Sequence, residues 1–228
     1  MDAKNNLSNI SKAEKDRRKG KHQIDEQRAS ILDAAEELFL QKGIENTSIG
    51  DIAAQAGVSR ITVYRYFANR DEMAVKIQSR MFNKINALIP VEGHAPTLES
   101  RRRRTQVIIR NFSRLKDAFR YIGMFDKIYL DQASNDVLPQ WAMAQLRAGR
   151  TDRNSNEKDK QVPYQDEINV ISNNVIWFLE KLALRGELTW SNEGTSLEHS
   201  LQVFEDMILG YFDRLIAEER AANKNSGP

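Results

Sequence analysis

Residues 47–70, TSIGDIAAQAGVSRITVYRYFANR, constrain this chain more than any other stretch. The apolar positions Ile49, Ile52, Ala53, Ala56, Val58, Val63 and Phe67 fit a helix, a sharp turn at Gly57 and a second short helix. Ile52 and Ala56 lie one helical turn apart and face a core that Val58 and Val63 close from the other side. Ala53 is small where two helices would cross closely. Gly57 stands where the backbone needs positive φ to reverse within about three residues. The outward face of the second helix is then left with Arg60, Thr62, Tyr64, Arg65 and Tyr66. A polar, basic and aromatic face on so short a helix predicts a DNA-recognition helix.

The other 200-odd residues must supply what this pair lacks. With 228 residues, 40% of them hydrophobic and 29% charged, the chain has the balance of a globular protein. No apolar run approaches the roughly 18 residues of a membrane span, and the basic N-terminus has no apolar signal segment. A cytoplasmic, membrane-free protein is expected. Cysteine is absent, which removes disulfides, thiolate nucleophiles and thiolate metal sites. His22, His94 and His199 are scattered, with no glycine-rich phosphate loop or metal-spaced carboxylate–histidine set. No catalytic residue, metal or cofactor is expected.

The net charge of +2 is too small to announce a nucleic-acid partner, but its distribution is uneven. Residues 1–23 carry seven Lys or Arg against three acidic residues and show no apolar periodicity. They read as a disordered basic arm, either a solvated tail or a segment that follows phosphates beside the recognition helix. Residues 24–42 form a helix with Ile31, Leu32, Ala35, Leu38 and Phe39 as its stripe, stopped at Gly43. This is the third wall of a helix-turn-helix domain over residues 24–70. Ser48 with Asp51, Ser59, and Asn69 with Glu72 are cap signals for the three helices that follow.

Residues 71–228 form a larger helical domain. A fourth helix runs to about Leu88, followed by helices over residues 97–115, 118–130 and 138–147. A polar linker spans residues 148–163. Two long helices over residues 164–185 and 196–222 close the chain. The run Arg101–Arg104 sweeps around its helix and reads as solvated, paired with scattered carboxylates. The expected fold is all-α, with about nine helices.

The block ILDAAEELFLQKGIENTSIGDIAAQAGVSRITVYRYFANRDEM resembles the N-terminal domain of the tetracycline-repressor (TetR) family. The matching positions are the Ala-Ala-x-x-Leu-Phe helix, Lys42-Gly43, Thr47, Ile52-Ala53, Ala56-Gly57-Val58-Ser59, Thr62-Val63-Tyr64, Tyr66-Phe67 and Arg70. Tyr66 stands where His is frequent in that family, and Arg70 where Lys is usual. The resemblance covers residues 24–75. It implies a homodimeric transcription regulator, usually a repressor, whose C-terminal domain binds a small molecule that releases DNA. A ligand-independent regulator and a helical protein-interaction module are the alternatives.

On double-stranded DNA, Arg60 suits guanine O6 and N7, and Thr62 a thymine methyl or a phosphate. Tyr64 and Tyr66 occupy positions at which the resemblance implies hydroxyl donation to phosphate. Arg65 and Arg70 read as phosphate clamps, and Thr47, Ser48 and Ser59 as capping and backbone contacts. One short helix reads only a few base pairs, so a two-fold dimer on a palindromic operator is expected. The last two helices are the expected interface, through Ile171, Val175, Phe178, Leu182, Phe204, Ile208, Tyr211 and Leu215, with further apolar surface at Val170, Ile176, Trp177 and Leu179. Gly210 would permit close approach. Phe112, Phe119, Tyr121, Met124, Phe125, Tyr129, Trp141, Met143 and Trp177 are either core or the lining of an apolar effector pocket.

Overall fold

The computed structural model describes residues 2–89, 97–129, 164–185 and 196–225. Eight helices occur among them and no strand: α1 (Asp2–Lys42), α2 (Ile49–Gln55), α3 (Arg60–Tyr66), α4 (Arg70–Asn86), α5 (Leu98–Arg110), α6 (Phe112–Tyr129), α7 (Gln165–Arg185) and α8 (Leu197–Asn225). The protein is all-α, as its periodicity indicates. The helix expected at residues 138–147, with Trp141 and Met143, and the linker after it lie outside the described residues. No helix among the described residues is long and apolar enough to cross a membrane. The chain divides into two compact units, Met1–Ile77 and Gln78–Pro228, so the division falls inside α4 and not at residue 70.

The first unit corrects one expectation. Residues 2–23, read as a disordered arm, continue α1 without a break. Residues 19–26 of this helix are all exposed. The added segment, residues 2–23, contains no proline and one glycine, and carries five Lys and two Arg. Once the packed part of α1 is nucleated, extending it costs little. That packed part buries Ile31, Ala34, Ala35, Leu38 and Phe39 with Ile52 and Ala53 of α2, Val63 of α3, and Phe67. Gly43, at φ +90°, ends the helix.

In the second unit α6 packs on α7 and α5 on α8. Gly123 marks the close crossing of the first pair: a Cβ there would stand 2.8 Å from Leu184 Cδ1 and 3.3 Å from Glu180 Cβ. The second pair is joined by charge. Arg102 grips Asp213 with a fork of 2.7 and 3.0 Å, and this bond raises its pKa further. Arg110 Nε and Gln106 Nε2 donate to buried Glu205 at 2.7 and 2.9 Å. The expected pairing of the arginine run with carboxylates thus holds at Arg102. Helix α5 ends sooner than predicted because the Asn111 side chain turns back to donate to the Val107 carbonyl at 2.8 Å.

Two sets of expected residues need correction. Ile171, Val175 and Leu182 of α7, with Phe204, Ile208 and Leu215 of α8, are buried within a single chain and offer no surface to a partner. The regular 3-4 stripe is the face that meets α6 and α5. Phe178 and Tyr211 are half-buried, and the Phe178 ring stacks on Phe204 at 3.9 Å. The apolar residues left exposed are Val170 (59%), Trp177 (58%) and Leu184 on α7, with Val203 and Met207 on α8. Trp177 therefore leaves the pocket set, because it faces solvent. Phe112, Phe119, Tyr121, Phe125 and Tyr129 are all buried along α6, the first two on one side and the other three on the opposite side, with Met124 half-buried. On these two sides Phe112 stacks on Phe119, and Phe125 meets Tyr129 at 4.5 Å.

Candidate nucleic-acid interface

The two short helices are too brief to be stable on propensity alone, so caps and packing define them. Ser48 caps α2 in a reciprocal box: its Oγ accepts the Asp51 N–H at 3.1 Å, while its own N–H donates to Asp51 Oδ2 at 2.9 Å. The Ser48 hydroxyl donates to the same oxygen at 2.8 Å, and Lys42 Nζ stands 3.1 Å away. The Ser48 backbone N–H first, then its hydroxyl and Lys42, hold the Asp51 carboxyl at a pKa of about 2. At the turn, Gly57 adopts φ +67°, and the Val58 N–H returns to the Ala53 carbonyl at 2.9 Å. Ser59 then caps α3, accepting the Thr62 N–H at 3.1 Å with the Thr62 hydroxyl 2.9 Å away.

Helix α3 is sharply two-faced. Val63 and the C-cap residue Phe67 are at most 1% exposed. The opposite side presents Arg60, Ile61, Tyr64 and Arg65 to solvent, with Thr62 and Tyr66 half-buried at its edges. Of the expected contacts, Arg60, Tyr64 and Arg65 are thus brought onto one exposed face, and Ser48 and Ser59 lie exposed at the helix starts. The Arg60 guanidinium lies across Gly50 of α2. The Arg65 guanidinium lies 5.2 Å from the centre of the Tyr66 ring, and the Tyr66 hydroxyl donates to Gln27 Oε1 of α1 at 3.1 Å. Arg28, one residue on, sits over the Phe67 ring at 5.4 Å.

Thr47 and Arg70 depart from expectation. Thr47 is 1% exposed, and its hydroxyl donates to the Gly43 carbonyl at 2.8 Å, with the Leu38 carbonyl at 3.5 Å. A buried hydroxyl needs a partner, and these carbonyls at the end of α1 supply one. Arg70 Nη1 donates to the Glu45 carbonyl at 2.9 Å and lies 3.4 Å from that of Thr47. Both side chains tie the α1–α2 connection in place. Ile61 was not among the expected contacts, yet it is 82% exposed. Helical spacing carries the signal: it precedes buried Val63 by two residues, about 200° around the helix.

Residues 31–77 match the family of bacterial regulatory proteins described as tetR. An HTH-type transcriptional repressor of Mycobacterium tuberculosis is 36% identical over 84 residues, which are 37% of this chain and 45% of that protein. The HTH-type transcriptional regulator AcrR of Shigella flexneri is 42% identical over 60 residues, 26% of this chain and 28% of its own length. The chain thus matches less than half the length of these curated relatives. Among solved structures, a TetR family transcriptional regulator from Pseudomonas syringae shares the fold with a TM-score of 0.51 at 23% identity, covering 82% of this chain and 97% of its own. A transcriptional regulator from Rhodococcus aligns with a TM-score of 0.54 at 16% identity, covering 82% and 95%. Over residues 31–77, which hold α2, α3 and the packed end of α1, this chain is thus similar to the tetR family of bacterial regulatory proteins.

Proposed function

We propose that the chain is a homodimeric transcription repressor that places α3 in the major groove of each half of a palindromic operator. The observation that carries this reading is the division of α3. Two apolar side chains anchor it to the core, while Arg60, Tyr64 and Arg65 stand outward on a seven-residue helix. Arg60 suits a guanine edge; Arg65, with Tyr64, suits the phosphates. The basic first turns of α1 add positive charge to the same unit. The exposed apolar residues of α7 and α8 supply a face for a second copy. The buried aromatic residues of α6 support a small apolar or amphipathic effector that opens a site there and shifts α4.

The test is selection of bound duplexes from a random pool with the full chain. An inverted repeat is the expected product, bound by two chains. Arg60→Ala should then weaken operator binding by about 1–3 kcal/mol while leaving the oligomeric state unchanged. Recovery of no preferred sequence at moderate salt would overturn the reading in favour of a helical protein-interaction module.

A further inference from the structure

We propose that Ile61 reads the C5-methyl group of a thymine in each half-site, which gives the recognition helix an apolar contact among its polar ones. The inference rests on the DNA-binding reading above and names one operator base. Ile61 is the most exposed large apolar side chain among the described residues, at 82%, and it sits in the middle of the face that carries Arg60, Tyr64 and Arg65. Tyr64, 56% exposed, follows it by three residues and lies beside it on the helix surface. Ile61 is not part of the core: the core line of α3 is Val63 and Phe67, on the opposite side.

The setting selects the occupant. Flanking cations at Arg60 and Arg65 suit a strongly negative surface and disfavour an apolar protein partner. The Arg60 guanidinium lies over Gly50 of α2, and the branched side chain of Ile61 stands exposed beside it in sequence. The major groove offers one apolar group, the thymine methyl, and a β-branched aliphatic side chain fits against it without leaving a polar base edge unpaired.

The experiment uses the operator selected by the full chain, with each thymine replaced in turn by deoxyuridine, which removes the methyl and keeps the pairing. For the wild type, one position per half-site should weaken binding by about four-fold, the contribution of one buried methyl. Ile61→Ala should bind thymine and uracil operators equally and match the wild type in helical content. Wild-type binding that is indifferent to every replacement would overturn the assignment, as would an Ile61→Ala variant that keeps the thymine preference. Both outcomes leave DNA binding intact. A selection that enriches no sequence overturns the underlying reading as well.

Discussion

The Arg60 guanidinium lies so close over Gly50 that a Cβ built on the glycine would meet Arg60 Nη2 at 2.5 Å and Nε at 2.9 Å. The obstacle is the far end of a flexible side chain, so Gly50→Ala displaces the guanidinium and leaves the backbone alone. Gly50 lies in the first turn of α2, where alanine gains less over glycine than the roughly 0.5–1 kcal/mol of a helix interior, so stability should hold. Operator affinity should fall by about 1 kcal/mol, because Arg60 loses its resting place. In an Arg60→Ala background the same change should cost nothing. Equal losses in both backgrounds, read by titration of labelled operator, would separate Gly50 from Arg60.

Asp51 gives a pH dependence of known sign. Its carboxyl ionises at about 2 in the folded protein, below its ordinary 3.8, because Ser48 donates to it twice and Lys42 is adjacent. A depressed carboxylate stabilises the fold in full above the unfolded value, and the contribution is lost as pH falls from about 4 through about 2. Melting curves at pH 5 and pH 2.5 should therefore show a larger drop for the wild type than for Asp51→Asn. The same drop in both proteins would remove the capping box from the acid response.

Much of this arrangement is legible in the residues alone, and the failures have physical causes. Gly57, Ser48 with Asp51 and Ser59 act where the sequence places them, because caps and positive-φ turns are local chemistry. Thr47 and Arg70 show that a polar side chain near a surface helix has two uses, toward DNA or toward the protein's own backbone. Only the three-dimensional position of the carbonyls of Gly43 and Glu45 reveals the second. The α7 stripe illustrates another limit. Its periodicity marks a buried face but does not distinguish burial by α6 from burial by a second chain. Residues 2–23 show the converse: a helical segment so poor in apolar residues leaves no periodic trace to read.

Gly123 tests the packing of the second unit. Its missing Cβ leaves room for Leu184 Cδ1 at 2.8 Å and Glu180 Cβ at 3.3 Å. Leu184 is 36% exposed and has space to turn outward, whereas Glu180 is buried and fixed by α7. Gly123→Ala should be close to neutral, since helix propensity gains about what the crowding costs. Gly123→Val adds bulk that Glu180 has no room to yield to, and should destabilise the protein by about 1–3 kcal/mol in urea unfolding. A valine variant as stable as the wild type would mean that α6 and α7 separate freely.

The exposed line on α7 tests the dimer. Val170, Trp177 and Leu184 recur at seven-residue intervals, and they remain exposed while Ile171, Val175 and Leu182 are buried around them. An aliphatic–aromatic line of this period is suited to a partner helix crossing at a shallow angle. Lys181 Nζ rests 5.8 Å from the centre of the Trp177 ring, and this cation would rim such a contact. Trp177→Glu removes the largest apolar group from the face and puts a charge in its place, at a position where the folded monomer has no need of tryptophan. The variant should keep its helical content, lose roughly 2 kcal/mol or more of association free energy, and sediment as a monomer at concentrations where the wild type is a dimer. Its melting temperature should also stop rising with protein concentration. A Trp177→Glu protein that sediments as the wild type does would place the two-fold contact elsewhere on the chain.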